Sequence, residues 1–416
     1  MSGSKIRVGI AGGGAAGLYA ACCLAKFSGG KDIEITVIER NSIPGKKLIL
    51  TGHGRCNITN RKDASDLKKG YHEAENFIYP ALREFGPEET IRFFENDLGL
   101  AVKEEDNNRI FPVCDSAVKV RDTILSYLSC RAKILTDTKV TGIKPGEVFS
   151  VSTSNGGLQF DFLILSSGGS SFPKTGSTGD SYKLAEALGH TIIPVRGALA
   201  PVKTDKESQQ LTSALSGVSV NSKVSLFVDG KMVRAVSGEM LFADFGLTGP
   251  AIMELSREIP DKVTGNAFLE LDFIPQLNEE QLDQEFLKLI SEHPDTKIVN
   301  LLSRYVPSSV AGEICRKADV FGLYAQGFTK ENRKRLCREI KHLKVLVDEP
   351  SSFDKAYVTR GGVSLKEVDR KTMESKKVPG LYIIGEALDI GGISGGYNLQ
   401  ACMSEAYLAA KNILGN

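Results

Sequence analysis

Gly12-Gly13-Gly14-Ala15-Ala16-Gly17 has the glycine spacing of a turn built to hold a pyrophosphate. Gly12 permits a tight exit from a strand, Gly14 lets the backbone approach a phosphate, and Gly17 allows close contact between helix and strand. A helix opening at Ala15 and Ala16 offers the anion N–H groups that lack intrahelical partners, together with the positive end of its dipole. Glycine turns are common, so context carries the weight. Here a short apolar strand pattern precedes the turn, an alanine-rich helix pattern follows it, and Glu39 ends the next strand about 22 residues later. That carboxylate can accept hydrogen bonds from ribose hydroxyls and would repel a 2′-phosphate, which disfavours NADP at this position. Arg40, beside it, joins the same candidate set; the plainer alternative for Glu39 is a surface strand end.

This turn and acid fit NAD as well as FAD, and the far end of the sequence separates the two. Gly380-Leu381-Tyr382-Ile383-Ile384-Gly385-Glu386 reads as a strand running into a turn, and Gly391 to Gln400 (GGISGGYNLQ) as a second glycine-rich turn that opens a helix over Ala401 to Ile413. Two phosphate-like turns at opposite ends of one chain suit a long cofactor, FAD. N–H groups after Gly396, near Tyr397, Asn398 and Leu399, would face the isoalloxazine edge where negative charge collects on reduction. The alternative is a helix that only closes the sheet. A third glycine turn, Gly168-Gly169, follows the apolar run Phe160 to Ser166.

The elements that must position these turns follow from periodicity. Ile6 to Ala11 and Ile33 to Ile38 read as strands around a helix at Ala15 to Phe27, a βαβ unit. Residues 42 to 60 read as a loop, Pro87 to Leu98 and Ala117 to Leu128 as amphipathic helices, and Ala132 to Ile143 and Val148 to Thr153 as strands. A helix at about Asp180 to Leu188 follows the third glycine turn. Beyond it the character changes: short β-rich stretches such as Lys223 to Val228 and Lys231 to Val236, then charged helices at Glu279 to Glu292 and Lys330 to His342. The fold class expected is α/β. An FAD-binding Rossmann domain, 1–190 with 351–416, is interrupted by a small barrel or sheet, 191–276 with 342–350, and by a helical insertion, 277–341.

The chain has 416 residues, more than one core usually supports, and 25% charged residues in a globular balance. Its apolar runs fall short of a membrane span, so no membrane partner is expected. With 52 Lys and Arg against 51 Asp and Glu there is no global field to draw in nucleic acid, which is not expected as a partner. Eight cysteines without CxxC or zinc spacing argue against a metal site and for reduced thiols in the cytoplasm. The apolar start is not a signal peptide, because its glycines form a turn and a second strand follows.

Longer motifs narrow the class. Lys46-Lys47-Leu48, Thr51 to Asn60 (TGHGRCNITN), Arg109-Ile110-Phe111-Pro112, Gly168-Gly169-Ser170 with Gly176 to Asp180, Gly246 to Pro250, Gly361-Gly362-Val363 and GGYNLQ together resemble the BaiN-like (YhiN-like) flavoproteins, which include aminoacetone oxidase-like enzymes. The likeness spans nearly the whole chain. It implies a glutathione-reductase-like FAD domain interrupted by a small β-barrel that itself carries the helical insert. It also implies that Lys47, Gly54, Arg55, Cys56 and Asn57 run along the flavin and pyrophosphate. Gly385, Glu386, Asp389, Asn398 and Leu399 would then line the other side, and the Val140 backbone would meet the adenine. Ala243-Asp244 stands where that family often has Thr-His, and His53 where glycine is common.

Hydride transfer at flavin N5 is the cofactor's own chemistry, so the protein supplies orientation. His53, Tyr397 and Arg360 are the catalytic candidates: a proton acceptor, a substrate-facing phenol and a clamp for a carboxylate. Each has a plainer reading, as loop histidine, packing aromatic and surface arginine. The basic run Arg333 to Lys344 recurs at helical spacing, which reads as a solvated face. The expected activity is an FAD-dependent oxidoreductase acting on a small organic substrate, exchanging electrons with transiently bound NAD(P)H or with oxygen. The rival is a flavin-containing factor associated with RNA or protein.

Overall fold

The computed structural model describes residues 5–259, 267–348 and 353–415. They form two compact units, Met1–Gly197 with Tyr357–Asn416, and Ala198–Ala356. The expected join at 350/351 lies outside the described residues.

In the first unit five strands form a parallel sheet: β1 (Ile6–Ala11), β2 (Ile33–Ile38), β3 (Lys133–Leu135), β4 (Phe162–Leu165) and β5 (Leu381–Ile383). Their spatial order is β5-β4-β1-β2-β3. Val8, Ile10, Val37, Leu163 and Ile383 are fully buried, as expected of strands covered on both faces. The chain moves outward from β1 through β2 to β3, then returns to the other side of β1 for β4 and β5. Strand order therefore reverses between β1 and β4, and in such sheets ligands bind beyond the carboxyl ends at that reversal. The first helix, Ala15–Phe27, is buried along nearly all of its length, as is the C-terminal helix, Tyr397–Ile413.

Several boundaries differ from the sequence reading. Ala132 to Ile143 is two strands in two sheets: β3 ends at Leu135, Asp137 turns through φ +50°, and Val140–Lys144 pairs antiparallel with Phe149–Thr153. Pro87 to Leu98 is α-helical only over Pro87–Arg92, then widens over Phe93–Asp97. The loop at 42–60 contains a kinked helical stretch, Leu48–Gly54, and a short strand, Thr59–Asn60. The C-terminal helix starts at Tyr397, not Ala401, because Gly396 at φ +98° turns the chain into it. The strand Ile192–Ala198 pairs with Val358–Val363, which carries the first unit past residue 190.

The second unit holds a six-stranded sheet in the order Val202–Lys203, Gly246–Thr248, Lys231–Ala243, Ser219–Val228, Ala267–Asp272, Leu343–Leu346, with every pairing antiparallel. Its first and last strands are also bonded to each other: Asp205 N–H donates to the Leu346 carbonyl (3.1 Å), Asp348 N–H to that of Lys203 (3.0 Å), and Thr204 bridges Val347. Helices Glu279–Glu292, Ile298–Leu302, Ser308–Lys317 and Lys330–Lys341 share one apolar core with this sheet, where Leu226, Leu269, Phe286, Leu301 and Leu336 are fully buried. Two basic residues of the last helix are consumed in this packing. Arg333 donates to Asp283 (2.5 Å) and Lys341 pairs with Asp272 (2.7 Å), both basic side chains nearly inaccessible. No helix among the described residues is long and apolar enough to cross a membrane.

Candidate functional site

At the reversal point the glycines do mechanical work. Gly12 has φ +114°, and a Cβ there would lie 2.6 Å from the Ser166 carbonyl oxygen at the end of β4. A Cβ on Gly17 would overlap the Gly12 carbonyl. Gly14 differs: a Cβ there meets nothing within 4 Å. Gly14 is also the cap of the first helix, and no side chain satisfies that helix's first N–H groups. The first turn, at Ala15 and Ala16, thus presents bare donors to open space, a cradle that fits a phosphate.

Glu39 ends β2, only 6% exposed. Its Oε2 accepts the Gly13 N–H (2.8 Å), and its Oε1 accepts the Asn41 N–H (2.8 Å) and side-chain amide (2.6 Å). A carboxylate has about four lone-pair directions, so acceptor capacity remains for a ribose hydroxyl. Arg40 turns away to Thr178 Oγ1 (2.6 Å) and Asp180 (2.9 Å). Val140 is buried at the start of its strand. Gly168 is left-handed at φ +77°, and Gly169 sits against Thr359 and Glu386, with no room for a side chain.

From here the 45–60 segment runs along the site. Gly45 N–H donates to the Gly13 carbonyl (2.9 Å). Lys47 Nζ then reaches Glu386 Oε2 (2.7 Å) and Ser171 Oγ (2.5 Å), while Glu386 Oε1 accepts from the Ser171 hydroxyl (2.9 Å) and the Thr359 N–H (2.5 Å). His53 is exposed with φ +56°, and Gly54 beside it is open to solvent. Arg55 is drawn off to Glu105 and Asp115 and lies 4.2 Å from the centroid of the Phe111 ring. Cys56 is fully buried, and desolvation pushes its thiol up to about 12, so it is a thiol, not a nucleophile, at neutral pH.

The segment ends against the C-terminal turn. With its amide turned so that oxygen and nitrogen both meet complementary groups, Asn57 donates to the carbonyls of Thr59 and Ile110 and accepts the Gly396 N–H (3.1 Å). Thr59 Oγ1 meets Gln400 Oε1 at 2.5 Å, and Asn60 Nδ2 donates to the Gly395 carbonyl at 3.1 Å. Gly396 rests directly on the Thr59 backbone, where any Cβ would overlap it. One stretch of chain therefore leads from Gly13 at one glycine turn to Gly396 at the other.

Across from it, Gly385 (φ +68°) brings the turn after β5 against the first helix; a Cβ there would lie 2.7 Å from the Ala16 Cβ. Asp389 Oδ1 accepts the Gly361 N–H (2.9 Å). Asn398 staples its own turn, accepting the Gly392 N–H (2.9 Å) and donating to the Gly392 carbonyl (3.1 Å). Leu399 is buried, and no side chain caps the helix behind Gly396.

The three catalytic candidates fall in different surroundings. His53 is exposed, whereas Tyr397 is 3% exposed, with its hydroxyl 3.2 Å from Lys62 Nζ and its carbonyl accepting from Tyr71 (2.7 Å). Arg360 lies 3.5 Å from Glu73. Asp244 belongs to the second unit, where its carbonyl accepts from Gln209 and Ser213. Sequence reasoning missed Ser171, Thr359, Asn60 and Gln400 as partners. The last two stood inside quoted motifs; Ser171 and Thr359 are ordinary residues that only the fold brings to Glu386. Among the described residues no group of three or more His, Cys, Asp or Glu is gathered to hold a metal ion.

A parallel sheet with a dinucleotide turn at its reversal point, continuous through one loop with a second glycine turn, defines a Rossmann-type flavoenzyme. A family model described as HI0933-like protein Rossmann domain matches residues 6–412, and the chain belongs to this family of FAD-dependent oxidoreductases. It is 30% identical over 410 residues to the 3-dehydro-bile acid delta(4,6)-reductase of Clostridium scindens, covering 97% of this chain and 98% of the relative. It is 28% identical over 419 residues to the ribosomal RNA dihydrouridine synthase of Escherichia coli, covering 97% of each. A solved 3-ketosteroid-delta4-(5alpha)-dehydrogenase from Rhodococcus jostii RHA1 superposes with a TM-score of 0.46 at 14% identity, over 98% of this chain and 97% of that one.

Proposed function

We propose that this oxidoreductase reduces a carbon–carbon double bond conjugated to a carbonyl in a small organic substrate. The observation that carries the reading is the 30% identical relative named as a reductase of 3-dehydro-bile acid double bonds, matched over nearly both full lengths. A dihydrouridine product likewise corresponds to reduction of a double bond conjugated to a carbonyl, so the relatives' names agree on the reaction and differ on the substrate.

Bound FAD supplies the hydride at N5. The chain's own residues do the rest. The bare N–H groups at Gly14, Ala15 and Ala16 would hold the pyrophosphate, and Glu39 the adenosine ribose. Lys47 and Glu386 fix each other, with Ser171 and Thr359 orienting the Glu386 carboxylate, and the pair would hold the ribityl and flavin portion. The uncapped helix end behind Gly396, with Tyr397, Asn398 and Leu399, would place its positive dipole end toward the charge gained on reduction. Asn398 keeps that turn rigid through Gly392. His53, exposed on a left-handed turn, would return a proton to the substrate, and Arg360 would hold a substrate carboxylate. The six-stranded sheet, bonded between its first and last strands, supports the small barrel implied by the family likeness, and the four helices after it the insert.

Anaerobic stopped-flow tests this directly. Flavin reduced by NADH or NADPH should be re-oxidised by conjugated enones in a saturable step. Rapid oxidation of amines with no response to any enone would overturn the reading. An RNA substrate is the second reading, favoured by the dihydrouridine synthase relatives. Against it stands the basic helix, since Arg333 and Lys341 are spent in buried ion pairs. Re-oxidation by uridine-containing RNA and not by small enones would select it.

A further inference from the structure

The C-terminal helix carries one acid inside the protein. Glu405 is fully buried, between Ser404 and Ala406, which are also inaccessible. Its Oε2 accepts the Gly385 N–H at 2.5 Å, and its Oε1 has no hydrogen-bond partner among the described residues. Gly385 is the left-handed residue pressed on Ala16, and the residue after it, Glu386, holds Lys47. Gly385 is thus gripped from two sides, by the first turn of the first helix at its Cα and by Glu405 at its N–H.

Burial dominates the pKa of this carboxyl and raises it to about 8, with the Gly385 N–H opposing. The titratable groups around it come from every neighbouring element. Tyr71 and Cys402 feel Glu405 directly. Cys402 also feels Glu386 and Lys47, and Tyr19 on the first helix feels Cys402. The helix Glu75–Glu84 buries only Phe77, Ile78, Ala81 and Leu82. Desolvation pushes the Tyr19, Tyr71 and Cys402 protons to higher pH still. Below its own ionisation Glu405 is therefore an uncharged acid in a buried layer.

We propose that Glu405 is a positioning residue for the FAD site: in its neutral form it holds the Gly385–Glu386 turn against the first helix, and its ionisation in alkaline solution loosens the turn and weakens cofactor binding. The ionised form puts a second negative charge behind Glu386 with no cation bonded to it, and a buried charge of that kind is relieved by admitting water. This rests on the reading that the Gly385 turn holds FAD. The fold favours the protonated state, so this contribution is fully present below the ordinary glutamate range and is lost as pH rises through about 8.

The test is the FAD dissociation constant of the reconstituted full chain, followed by flavin fluorescence from pH 6 to pH 9.5. Wild type should bind FAD at least about tenfold more weakly at pH 9.5 than at pH 7, with the break near pH 8. Glu405→Gln, which keeps the acceptor for Gly385 but cannot ionise, should change less than about twofold over the same range. Glu405→Met answers the same question if the first variant does not accumulate. A flat wild-type profile, or a break that survives in either variant, overturns the proposal while leaving the FAD site intact. Failure of wild type to bind FAD at any pH overturns the site reading with it.

Discussion

Two glutamates at opposite ends of β5 have nearly the same surroundings and different uses. Glu386, just beyond the strand, takes the Lys47 ammonium at 2.7 Å, the Thr359 N–H and the Ser171 hydroxyl, and its side chain is 18% exposed. Glu367 takes the Lys377 ammonium at 2.7 Å and the N–H and hydroxyl of Thr191, and is 17% exposed. Glu367 also bonds His190 Nδ1 (3.1 Å), whose Nε2 meets Ser375 Oγ (2.9 Å), and Ser375 N–H donates to Leu381 at the start of the strand. In isolation that Ser-His-Glu chain has the look of a nucleophile and its base. Yet the His190 side chain is fully buried, and Ser375 Oγ is held by the N–H groups of Lys377 and Val378. Equal chemistry at the two ends of one strand means that side-chain identity does not mark the site. The end of the sheet does: the Gly12–Gly17 turn, the Gly385 turn and a bare helix terminus gather where the strands finish.

The largest effect separating the two clusters should come from Lys47→Met. It leaves Glu386 without its cation, a loss of about 3 kcal/mol for a mostly buried pair, and FAD affinity measured by fluorescence titration should fall roughly a hundredfold. The matching change at the other end is His190→Ala. Unfolding in urea should show a loss of about 2–3 kcal/mol from the cavity and the stranded Ser375 and Glu367 groups, while FAD affinity of the folded fraction stays within about twofold. Equal loss of FAD in both variants would erase the distinction.

Acid sharpens it further. Desolvation lowers the His190 pKa, with Glu367 pulling the other way, so the fold favours the neutral imidazole. That contribution is present above the ordinary histidine range and is lost as pH falls below it. For Glu367 desolvation works upward, but Lys377 and the Thr191 donors outweigh it and hold the carboxyl at about 2. Its contribution is present above about pH 4.5 and is lost as pH falls toward 2. The melting temperature of wild type should therefore drop between pH 7 and pH 4 more steeply than that of His190→Gln. Parallel profiles would contradict the assignment. The smallest effects belong outside both clusters: Lys334→Ala and Arg335→Ala should alter stability by no more than about 0.5 kcal/mol and leave enone turnover unchanged. Loss of RNA capture in these variants would move the balance to the RNA reading.

The same contrast explains what the amino-acid sequence made legible. β1, the first helix and β2 were readable to the residue, because a continuous apolar run, a glycine turn and a carboxylate at fixed spacing leave few alternatives. The loop at 42–60 showed its motif but not its path, since Asn57, Thr59 and Asn60 are fixed by Gly395, Gly396 and Gln400 more than three hundred positions away. Arg55 was expected along the cofactor, and the fold turns it onto Glu105, Asp115 and Phe111, three neighbours that no local pattern announces. Tyr397, expected as a phenol facing substrate, has its ring packed beside Tyr71 at 5.8 Å between centroids. The break at Asp137 was invisible because both halves of Ala132 to Ile143 have strand-forming residues, and only pairing partners separate them.

The central claim is that the Gly12–Gly17 turn and the Gly391–Gln400 turn hold one FAD between them. Hydrogen exchange of the apo chain with and without FAD tests it most directly. The account predicts simultaneous slowing of the amides at 13–18, 45–58 and 385–399, with 367–378 unchanged. Slowing at the first turn alone, with the amides of 392–399 exchanging as before, would contradict it.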